Sequence, residues 1–548
     1  MAPADPLLIP PETRKRRLRG LWPQKWRWRI SLILLIALMA LAAVAWSERK
    51  QIAGNIIDDA LESNGLEATY EIVSIGPQQQ VIANLVIGDP QAPDLTAERV
   101  LVDIVYSYGS PQIGRVELVR PRLYGTLRDG TLSFGALDSL IYAESDEPAG
   151  LPELDLSIVD GRARIDSDYG VIGAKLEGAG RLDSGFEGTL AATAPGLGVE
   201  GCRAEQATLY GALRTAGGEP AFDGPLRLRG LSCEGASLAS ADIAARLNLT
   251  DDLAAVDGEF GLAAAGLNYA GNGAEALDGN IGLLWRFAGE QEGSVGDLSL
   301  THDLAASDLS LSGARIVALR MEGTGRVSDN MTRSEFTAQI EGERVDLGLR
   351  GNSSLAQARK ASEGTLAASL LGKLERGLAS ALSDGTVQGD VTLRSNEDGL
   401  RVIVPEARLR SGSGDTVLAL SRVSYASSGG RFSGNILTGG ANLPRINGRM
   451  EQVEGGDLAL RLTMAEYRAG SDALAIPRME LRQSPSGRLV FNGMMQAEGA
   501  LPGGAVRGLQ VPVEGSWSAG EGLAVGERCT DARRGPYAEY QRCRRTCV

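Results

Sequence analysis

The chain has 548 residues, which is too long for one ordinary hydrophobic core and predicts several domains or one repetitive architecture. Glycine is abundant at 71 residues and aromatic residues make up only 5%, while the 43% hydrophobic content excludes a disordered chain. The net charge of −14 excludes nucleic-acid binding driven by charge.

The N-terminal region predicts a membrane anchor. Residues 1–29 are basic, and residues 30–46 form a charge-free run of 17 residues, about 25 Å of helix against a bilayer core of about 30 Å. The positive-inside rule keeps the basic segment cytoplasmic and exports the rest of the chain from the cytoplasm. A cleaved signal peptide ending near Ala43-Val44-Ala45 is the alternative, but the long basic segment favours the anchor. Four tryptophans flank the run as interfacial residues: Trp22, Trp26, Trp28 and Trp46.

Residues 47–64 predict a short amphipathic helix, because Ile52, Ile56 and Ala60 share one face and Asn64-Gly65 is a typical helix end. From residue 65 the hydrophobic period changes to two, which indicates strands with one apolar and one polar face. The alternating residues are Val81, Ala83, Leu85, Ile87; Val100, Val102, Ile104, Tyr106; Leu226, Leu228; Ile243, Ala245, Leu247, Leu249; and Leu458, Leu460, Leu462, Met464.

Asp-Gly pairs recur between these runs and predict tight turns, namely Asp129-Gly130, Asp160-Gly161, Asp257-Gly258, Asp278-Gly279 and Asp384-Gly385. A period of about twelve residues predicts roughly 35 to 40 strands, which an unbroken sheet would stack over about 180 Å. The fold class is therefore mostly β. The sheet must cover its apolar face, either with a second sheet as a solid sandwich or by curling into a trough, and the low aromatic content favours the trough.

One stretch breaks the period of two. Residues 353–384 predict one inserted helix, whose stripe is formed by Leu366, Leu370, Leu374, Leu378 and Leu382. This helix divides the body into two predicted β segments, 65–352 and 385–525. Residues 526–548 lose the alternation and carry three of the five cysteines, which favours a truncated or frame-shifted junction, with a small tail domain as the alternative.

The chemistry-bearing residues do not predict an enzyme, a metal or a cofactor. The single histidine, His302, has no cysteine or histidine neighbour at a metal-ligand spacing, and no nucleophile or phosphate-loop motif occurs. Cys202 and Cys233 lie in similar contexts on two predicted strands, so a disulfide is expected in an oxidising compartment, with two buried free thiols as the alternative.

The order of features resembles the YdbH family, within the AsmA-like and TamB-like superfamily of bacterial lipid-transport bridges. The matching residues are Leu85-Val86-Ile87-Gly88-Asp89-Pro90, then residues 116–125 (VELVRPRLYG) and residues 127–138 (LRDGTLSFGALD). The resemblance implies a single-pass inner-membrane protein whose periplasmic body is a curled antiparallel, taco-like β-groove. It also implies phospholipids as cargo, a small outer-membrane lipoprotein as partner, and full-length relatives longer than this chain.

The sequence therefore predicts a non-catalytic bridge that conducts phospholipids between the inner and outer membranes. The alternative is a solid β-rich envelope scaffold or outer-membrane assembly factor. The predicted groove lining is the alternating apolar set of Val81, Leu85, Ile87, Val100, Val102, Ile104, Tyr106, Leu226, Leu228, Ile243, Leu247, Leu249, Leu458, Leu460, Leu462 and Met464.

Overall fold

The computed structural model describes residues 65–525, apart from 77, 108–109, 129–130, 142–149, 200, 288–295, 330–331, 349–352, 382, 453–455 and 519–521, together with Ile36, Ala37 and Met39. The predicted basic segment 1–29, helix 47–64 and tail 526–548 lie outside the described residues, as do the four flanking tryptophans. Of the predicted anchor 30–46, only the three isolated residues are described. Within the described part of the chain, no helix is long and apolar enough to cross a membrane.

Strands dominate the described residues. They are β1 Ala68–Ile75, β2 Gln79–Asp89, β3 Ala92–Ser107, β4 Ser110–Val119, β5 Arg122–Arg128, β6 Thr131–Ser133, β7 Asp155–Ser167, β8 Gly170–Arg181, β9 Glu187–Pro195, β10 Gly198–Val199, β11 Cys202–Arg203, β12 Gln206–Ala216, β13 Glu219–Cys233, β14 Ala236–Leu249, β15 Ala255–Tyr269, β16 Asn272–Arg286, β17 Asp297–Leu311, β18 Ala314–Ser328, β19 Arg333–Asp346, β20 Gly385–Asn396, β21 Gly399–Arg410, β22 Thr416–Ala426, β23 Arg431–Thr438, β24 Ile446–Gln452, β25 Leu458–Ala469, β26 Asp472–Gln483, β27 Leu489–Leu501, β28 Gly504–Ser518 and β29 Gly522–Val525.

All 29 described strands belong to one sheet. Most of the sheet is an antiparallel meander in which each long strand pairs with the next one in the chain. The exception is β7, which runs parallel to β4 and β5, so the sheet is mixed rather than purely antiparallel as predicted. Strands β4 and β5 lie end to end beside β3 and β7.

The number of strands is lower than the sequence period predicts because several Asp-Gly pairs are not turns. Asp160-Gly161 lies inside β7, Asp257-Gly258 inside β15 and Asp278-Gly279 inside β16. Glycine is needed at position 279 for close approach, since a Cβ there would lie 2.1 Å from the Asp303 carbonyl oxygen of the neighbouring strand. Asp384-Gly385 does mark a strand start, and Asp129-Gly130 lies outside the described residues.

The predicted inserted helix is two helices in the structure, α2 Ser353–Ala361 and α3 Leu366–Ala381. Gly364, with φ +79°, breaks the helical path between them. The remaining short helices of the described chain are α1 Asp138–Ile141 and the 3₁₀ turns η1 Gly135–Leu137 and η2 Ser428–Gly430. The insertion does not divide the sheet, because β19 and β20 on either side of it pair directly, from Ser334 opposite Ser395 to Val345 opposite Gly385.

Buried side chains form three clusters. One cluster joins Leu309, Ile316 and Val345 to Ala381 at the end of α3. A second places Leu366 and Leu370 of α3 against Met464 and Tyr467 of β25, and the third lies under η1. Helix α3, about 24 Å long, therefore reaches from the sheet around its own insertion point to β25, five strands beyond β20.

Left-handed residues are aligned across neighbouring strands. Gly230, Gly266, Asp308 and Arg344, all with φ between +47° and +69°, occupy β13, β15, β17 and β19. The strand registers put these four residues at one level of the sheet, each opposite a residue of the intervening strand. We call this line the crease. A residue in this conformation redirects the strand, so the crease changes strand direction along a line across the sheet.

Candidate functional site

Strand register assigns the side chains of the described strands to one of two sheet faces. Residues opposite each other in an antiparallel pair share a face, and successive residues alternate. One apolar row contains Leu209, Leu226, Ile243, Leu262, Gly279, Leu304, Met321 and Ile340, one residue from each strand from β12 to β19. We call the side of the sheet that carries this row the apolar face.

Neighbouring rows on the apolar face have the same character. A second apolar row lies four residues from the first, on the side away from the crease, and continues across the helical insertion from β19 to β20. Its residues are Phe222, Leu247, Gly258, Leu283, Leu300, Gly325, Phe336, Leu393, Val402, Tyr425 and Phe432. It crosses eleven strands without a charged residue. The apolar face is therefore continuous from β13 to β23.

The opposite face is charged. Its side chains form ion pairs between neighbouring strands, such as Arg320 with Asp303 at 2.7 Å and Arg229 with Asp242 at 2.8 Å. These side chains are largely exposed, so each pair contributes little to stability. Their effect is to fix which face meets water, because a one-residue slip of any strand would move the charges onto the apolar face.

The apolar face is only partly covered. Trp285, Leu393 and Tyr425 on this face are 37–39% exposed, and no large side chain among the described residues is fully buried. In a solid sandwich the large side chains between two sheets would be enclosed. The described residues therefore form a single layer whose apolar face is open to an apolar ligand, apart from the parts under η1 and α3.

The predicted lining residues fall mainly on the apolar face. Leu226, Leu228, Ile243, Leu247 and Leu249 lie there in neighbouring rows, as do Leu458, Leu460 and Leu462 of β25. Met464 also lies there but is buried beneath α3.

Near the start of the sheet the structure differs in one position from the predicted lining. Val100 and Val102 are on the apolar face with Leu118 and Val116 of β4, and Ile104 continues their alternation. Ile87 belongs to the buried cluster under η1, and Leu85 packs against that cluster. Val81 faces the other way, opposite Leu101, because Asn84 with φ +52° shifts the alternation of β2 and puts Ile82 opposite Val100. The side chain of Tyr106 lies outside the described residues.

Much of the apolar face was not in the predicted lining. The missed rows run through β15 to β23, and the signal for them was present in alternations such as Leu298, Leu300 and Leu304. The crease hid part of the pattern, because the apolar step changes from two residues to three where it crosses a strand. Ala306 is followed by Leu309 in this way, and Gly342 by Val345.

Comparison with known proteins identifies the family. A family model described as "YdbH-like: Intermembrane phospholipid transport protein YdbH" matches residues 36–534. The chain belongs to the YdbH-like family. No curated protein matches the chain. This YdbH-like match extends over the whole described sheet, so the apolar face and the helical insertion both lie within the family region.

Residues 131–138, the end of the stretches that carried the family resemblance, form β6, η1 and the start of α1 beneath the first strands of the YdbH-like sheet. The Asp138 carboxylate accepts the amide N–H of Phe134 at 2.6 Å and the Ser133 hydroxyl at 2.5 Å. Asp94 of β3 accepts the amide N–H of Ala136 at 2.9 Å. Gly135 has φ +65°, and a Cβ on it would lie 2.2 Å from the Asp94 carboxylate, so a larger residue would strain the backbone and displace that carboxylate. This turn holds Leu137 against the apolar face.

Cys202 and Cys233 are register partners in β11 and β13, and the structure joins them in a disulfide with an S–S distance of 2.05 Å. The bond ties the short strand β11 to the end of β13, just past the crease. A cross-link at this point resists fraying of the strand end.

Polar chemistry is sparse on the apolar face. His302 lies on it between Ile281 and Gly323, and its Nδ1 is buried with no hydrogen-bond partner among the described residues. Within the same described ranges, no group of three His, Cys, Asp or Glu residues is arranged to hold a metal ion. The arrangement offers an extended apolar surface.

Proposed function

We propose that this YdbH-like chain conducts phospholipids along its apolar face, as a bridge between the inner and outer membranes anchored by residues 30–46. The observation that carries the proposal is the unbroken apolar row across β13 to β23 on a single-layered sheet. An acyl chain gains about 0.8 kcal/mol for each CH₂ that leaves water for such a surface.

The two faces of the sheet support this role together. The charged face stays in water while the apolar face is covered by lipid acyl chains. Acyl chains are abundant in a bacterial envelope, and one lipid can replace another on the sheet. No specific ligand contacts are needed along the path, because successive rows offer equivalent aliphatic side chains. The family resemblance adds a small outer-membrane lipoprotein at the far end, and this partner stays a prediction.

Lipid content tests the proposal directly. The full chain, purified from membranes in a mild detergent and washed extensively, is expected to retain phospholipid on its apolar face. Mass spectrometry of a solvent extract measures it, with a single-span membrane protein carried through the same washes as control. Lipid content no higher than that of the control would overturn the proposal.

A pair of charge substitutions in β25 locates the path. Leu460→Asp puts a carboxylate on the apolar face, and an acyl chain passing it must desolvate that charge at a cost of a few kcal/mol. We expect lipid transfer between donor and acceptor vesicles to fall roughly tenfold or more, with little change in melting temperature. Thr463→Asp puts the same charge on the other face of the same strand, where the residue is exposed, and is expected to leave transfer unchanged. Equal transfer by the two variants would contradict the assigned path.

A further inference from the structure

The helical insertion carries a feature that the apolar path does not use. Helix α3 packs one stripe, Leu366, Leu370, Gly377 and Ala381, against the sheet. Helical geometry puts Leu371, Leu374 and Leu378 on one flank of that stripe. The other flank carries Ser369, Lys373 and Arg376 and borders a hollow of about 650 Å³, a volume typical of small-ligand sites.

Four cations line this hollow in an otherwise acidic body. Arg359 of α2, Lys373 and Arg376 of α3, and Arg468 at the end of β25 all border it. Outside residues 1–50, the chain has 66 acidic and 45 basic residues. Four cations around one hollow therefore differ from the acidic excess of the rest of the body, and the overall composition does not explain them.

Two of these cations are already neutralised. Arg359 lies 3.1 Å from Glu375, and Arg468 lies 3.0 Å from Glu466 and 3.4 Å from Glu498. These carboxylates hold their arginines at the margin of the hollow.

The other two cations have no carboxylate within 4 Å in the described part of the chain. Lys373 lies 4.8 Å above the ring of Tyr467 and donates to the Arg468 carbonyl oxygen at 2.9 Å. Arg376 is exposed and stands one turn from Lys373, where two like charges destabilise a helix. An anion between them would remove this repulsion.

The walls of the hollow are held in place. Burial raises the pKa of the Tyr467 phenol, so its hydroxyl stays protonated and donates to the Asn442 carbonyl oxygen at 2.8 Å. Gly372 forms part of the floor of the hollow. A Cβ at this position would make only ordinary contacts, 3.6 Å from Arg359 Cδ and 3.7 Å from Arg376 Nη1. A side chain longer than alanine at position 372 would enter the hollow.

We propose that the hollow between α3 and the ends of β23 and β25 binds a phosphate group through Lys373 and Arg376. Guanidinium and ammonium groups are the side chains that recognise phosphate oxygens. The inference rests on the proposed function in one respect only: the apolar face beneath α3 would bring a phospholipid headgroup to this place. A free phosphate or phosphoester is the other source of the same chemistry.

The decisive variant is Gly372→Glu. It puts a carboxylate between Arg359 and Arg376, where it would compete with a phosphate group. Because glutamate is a better helix former than glycine, the helix should not be destabilised. Lys373→Gln with Arg376→Gln removes the two free cations instead. The matched control is Arg449→Gln with Arg461→Gln, two register-paired, exposed arginines of β24 and β25 on the charged face.

The test uses the full chain in detergent with three phosphate probes and with hexaglutamate, an acidic peptide that carries no phosphate. Calorimetric titration with inorganic phosphate and with glycerophosphoglycerol measures the free-anion source. Native mass spectrometry measures how many molecules of phosphatidylglycerol and of diacylglycerol the protein retains. The two lipids have the same acyl chains, but diacylglycerol lacks the phosphate. We expect the wild type and the control to bind at least one phosphate probe. Both site variants should bind it about tenfold or more weakly, the effect of losing a charge-assisted hydrogen bond.

The outcomes separate the possible ligands. Preference for phosphatidylglycerol with weak binding of the free anions supports a headgroup site, and equal binding of all phosphates supports a free-anion site. Binding of hexaglutamate without any phosphate probe would overturn the proposal in favour of an acidic protein segment, and so would site variants that bind like the wild type. Total extractable lipid in Gly372→Glu should stay at the wild-type amount, so failure of the conduit and failure of this site are distinguishable.

Discussion

The crease is formed by single residues in an unusual conformation. Asp308 and Arg344 carry side chains at φ +47° and +51°, where glycine is the usual residue, and Gly230 and Gly266 occupy the equivalent level of β13 and β15. A non-glycine residue held left-handed costs about 1–2 kcal/mol. The sheet keeps this strain at one level of alternate strands, which indicates that the change in strand direction is part of its architecture.

Arg344 allows a direct test of that strain. Arg344→Gly removes the steric penalty, but glycine also increases the entropy of the unfolded chain, which offsets part of the gain. The variant is therefore expected to be neutral or to stabilise the chain by about 0.5–1 kcal/mol. Arg344→Val puts a β-branched residue at the same φ and should destabilise it by about 1–3 kcal/mol. Chemical denaturation of both variants measures the difference. A valine variant as stable as the glycine variant would show that the backbone relaxes without the left-handed residue.

A second residue-scale prediction concerns pH. Asp160 on the charged face accepts Arg122 at 3.0 Å, and this hydrogen bond lowers the pKa of Asp160. A carboxylate with a lowered folded-state pKa contributes stability above its unfolded pKa of about 3.9. That contribution is lost as pH falls through the lowered value. Asp160→Asn should therefore lower the melting temperature at pH 7, with the difference from wild type disappearing in acid.

The control for this prediction is Asp223→Asn, which removes a carboxylate 3.7 Å from Arg246 without a short hydrogen bond. It should change the melting temperature less at neutral pH. A melting-temperature difference for Asp160→Asn that persisted at pH 2 would mean that the side chain acts through packing rather than charge.

At the scale of elements, the insertion between β19 and β20 can be separated from the sheet. The two strands pair directly, so the connection between them need not contain α2 and α3. Replacing residues 347–383 with Asn-Gly should preserve the strand signal in circular dichroism and remove most of the helical signal of the body. Losing the burial of Leu366 and Leu370 should lower stability by several kcal/mol. Leu370→Ala is the milder control, and loss of the strand signal in the deletion variant would contradict a continuous sheet.

The disulfide gives a second element-scale prediction. Cys202 and Cys233 are separated by 31 residues, and closing such a loop is expected to contribute about 3–4 kcal/mol in the chain-entropy model. Replacing both with serine should therefore lower the melting temperature of the oxidised protein to that of the reduced wild type. Alkylation mapping should label neither thiol without reductant, and labelling of both would contradict the bond.

Sequence patterns could predict strand character but not strand ends. Alternation such as Ile243, Ala245 and Leu247 indicates a half-buried strand whatever follows it. Asp257-Gly258 looks like a turn in sequence, yet it is mid-strand, because glycine also serves where side chains of neighbouring residues need room. A Cβ on Gly258 would lie 2.9 Å from the Phe260 ring. The hollow beside α3 could not be predicted, since Arg359 and Arg468 are brought together only by the fold.

At the scale of the whole molecule, the array is shorter than its sequence period predicts. Four of the 29 strands in the described part of the chain, β5, β6, β10 and β11, add no position across the sheet, which leaves 25 described positions and a width of about 115 Å at roughly 4.8 Å each. The predicted length of about 180 Å assumed a period of about twelve residues for each strand and its turn. Individual strands are correspondingly longer, with 14 or 15 residues in each strand from β13 to β19.

Strand pairing in this sheet is almost entirely local in sequence. Every substantial backbone contact between strands of the described chain joins sheet neighbours, and only η1 and α3 reach further. The array is thus nearly one-dimensional, like a solenoid, in which each unit is stabilised by the units beside it. A hairpin such as β15–β16 adds two strand positions to the sheet. It brings the chain back to the side of the sheet where the hairpin began, and its apolar side chains lie on the same face as those of the neighbouring strands. Gene duplication or loss of one hairpin would therefore lengthen or shorten the array by about 10 Å, so evolution can adjust the length of such an array in hairpin-sized increments.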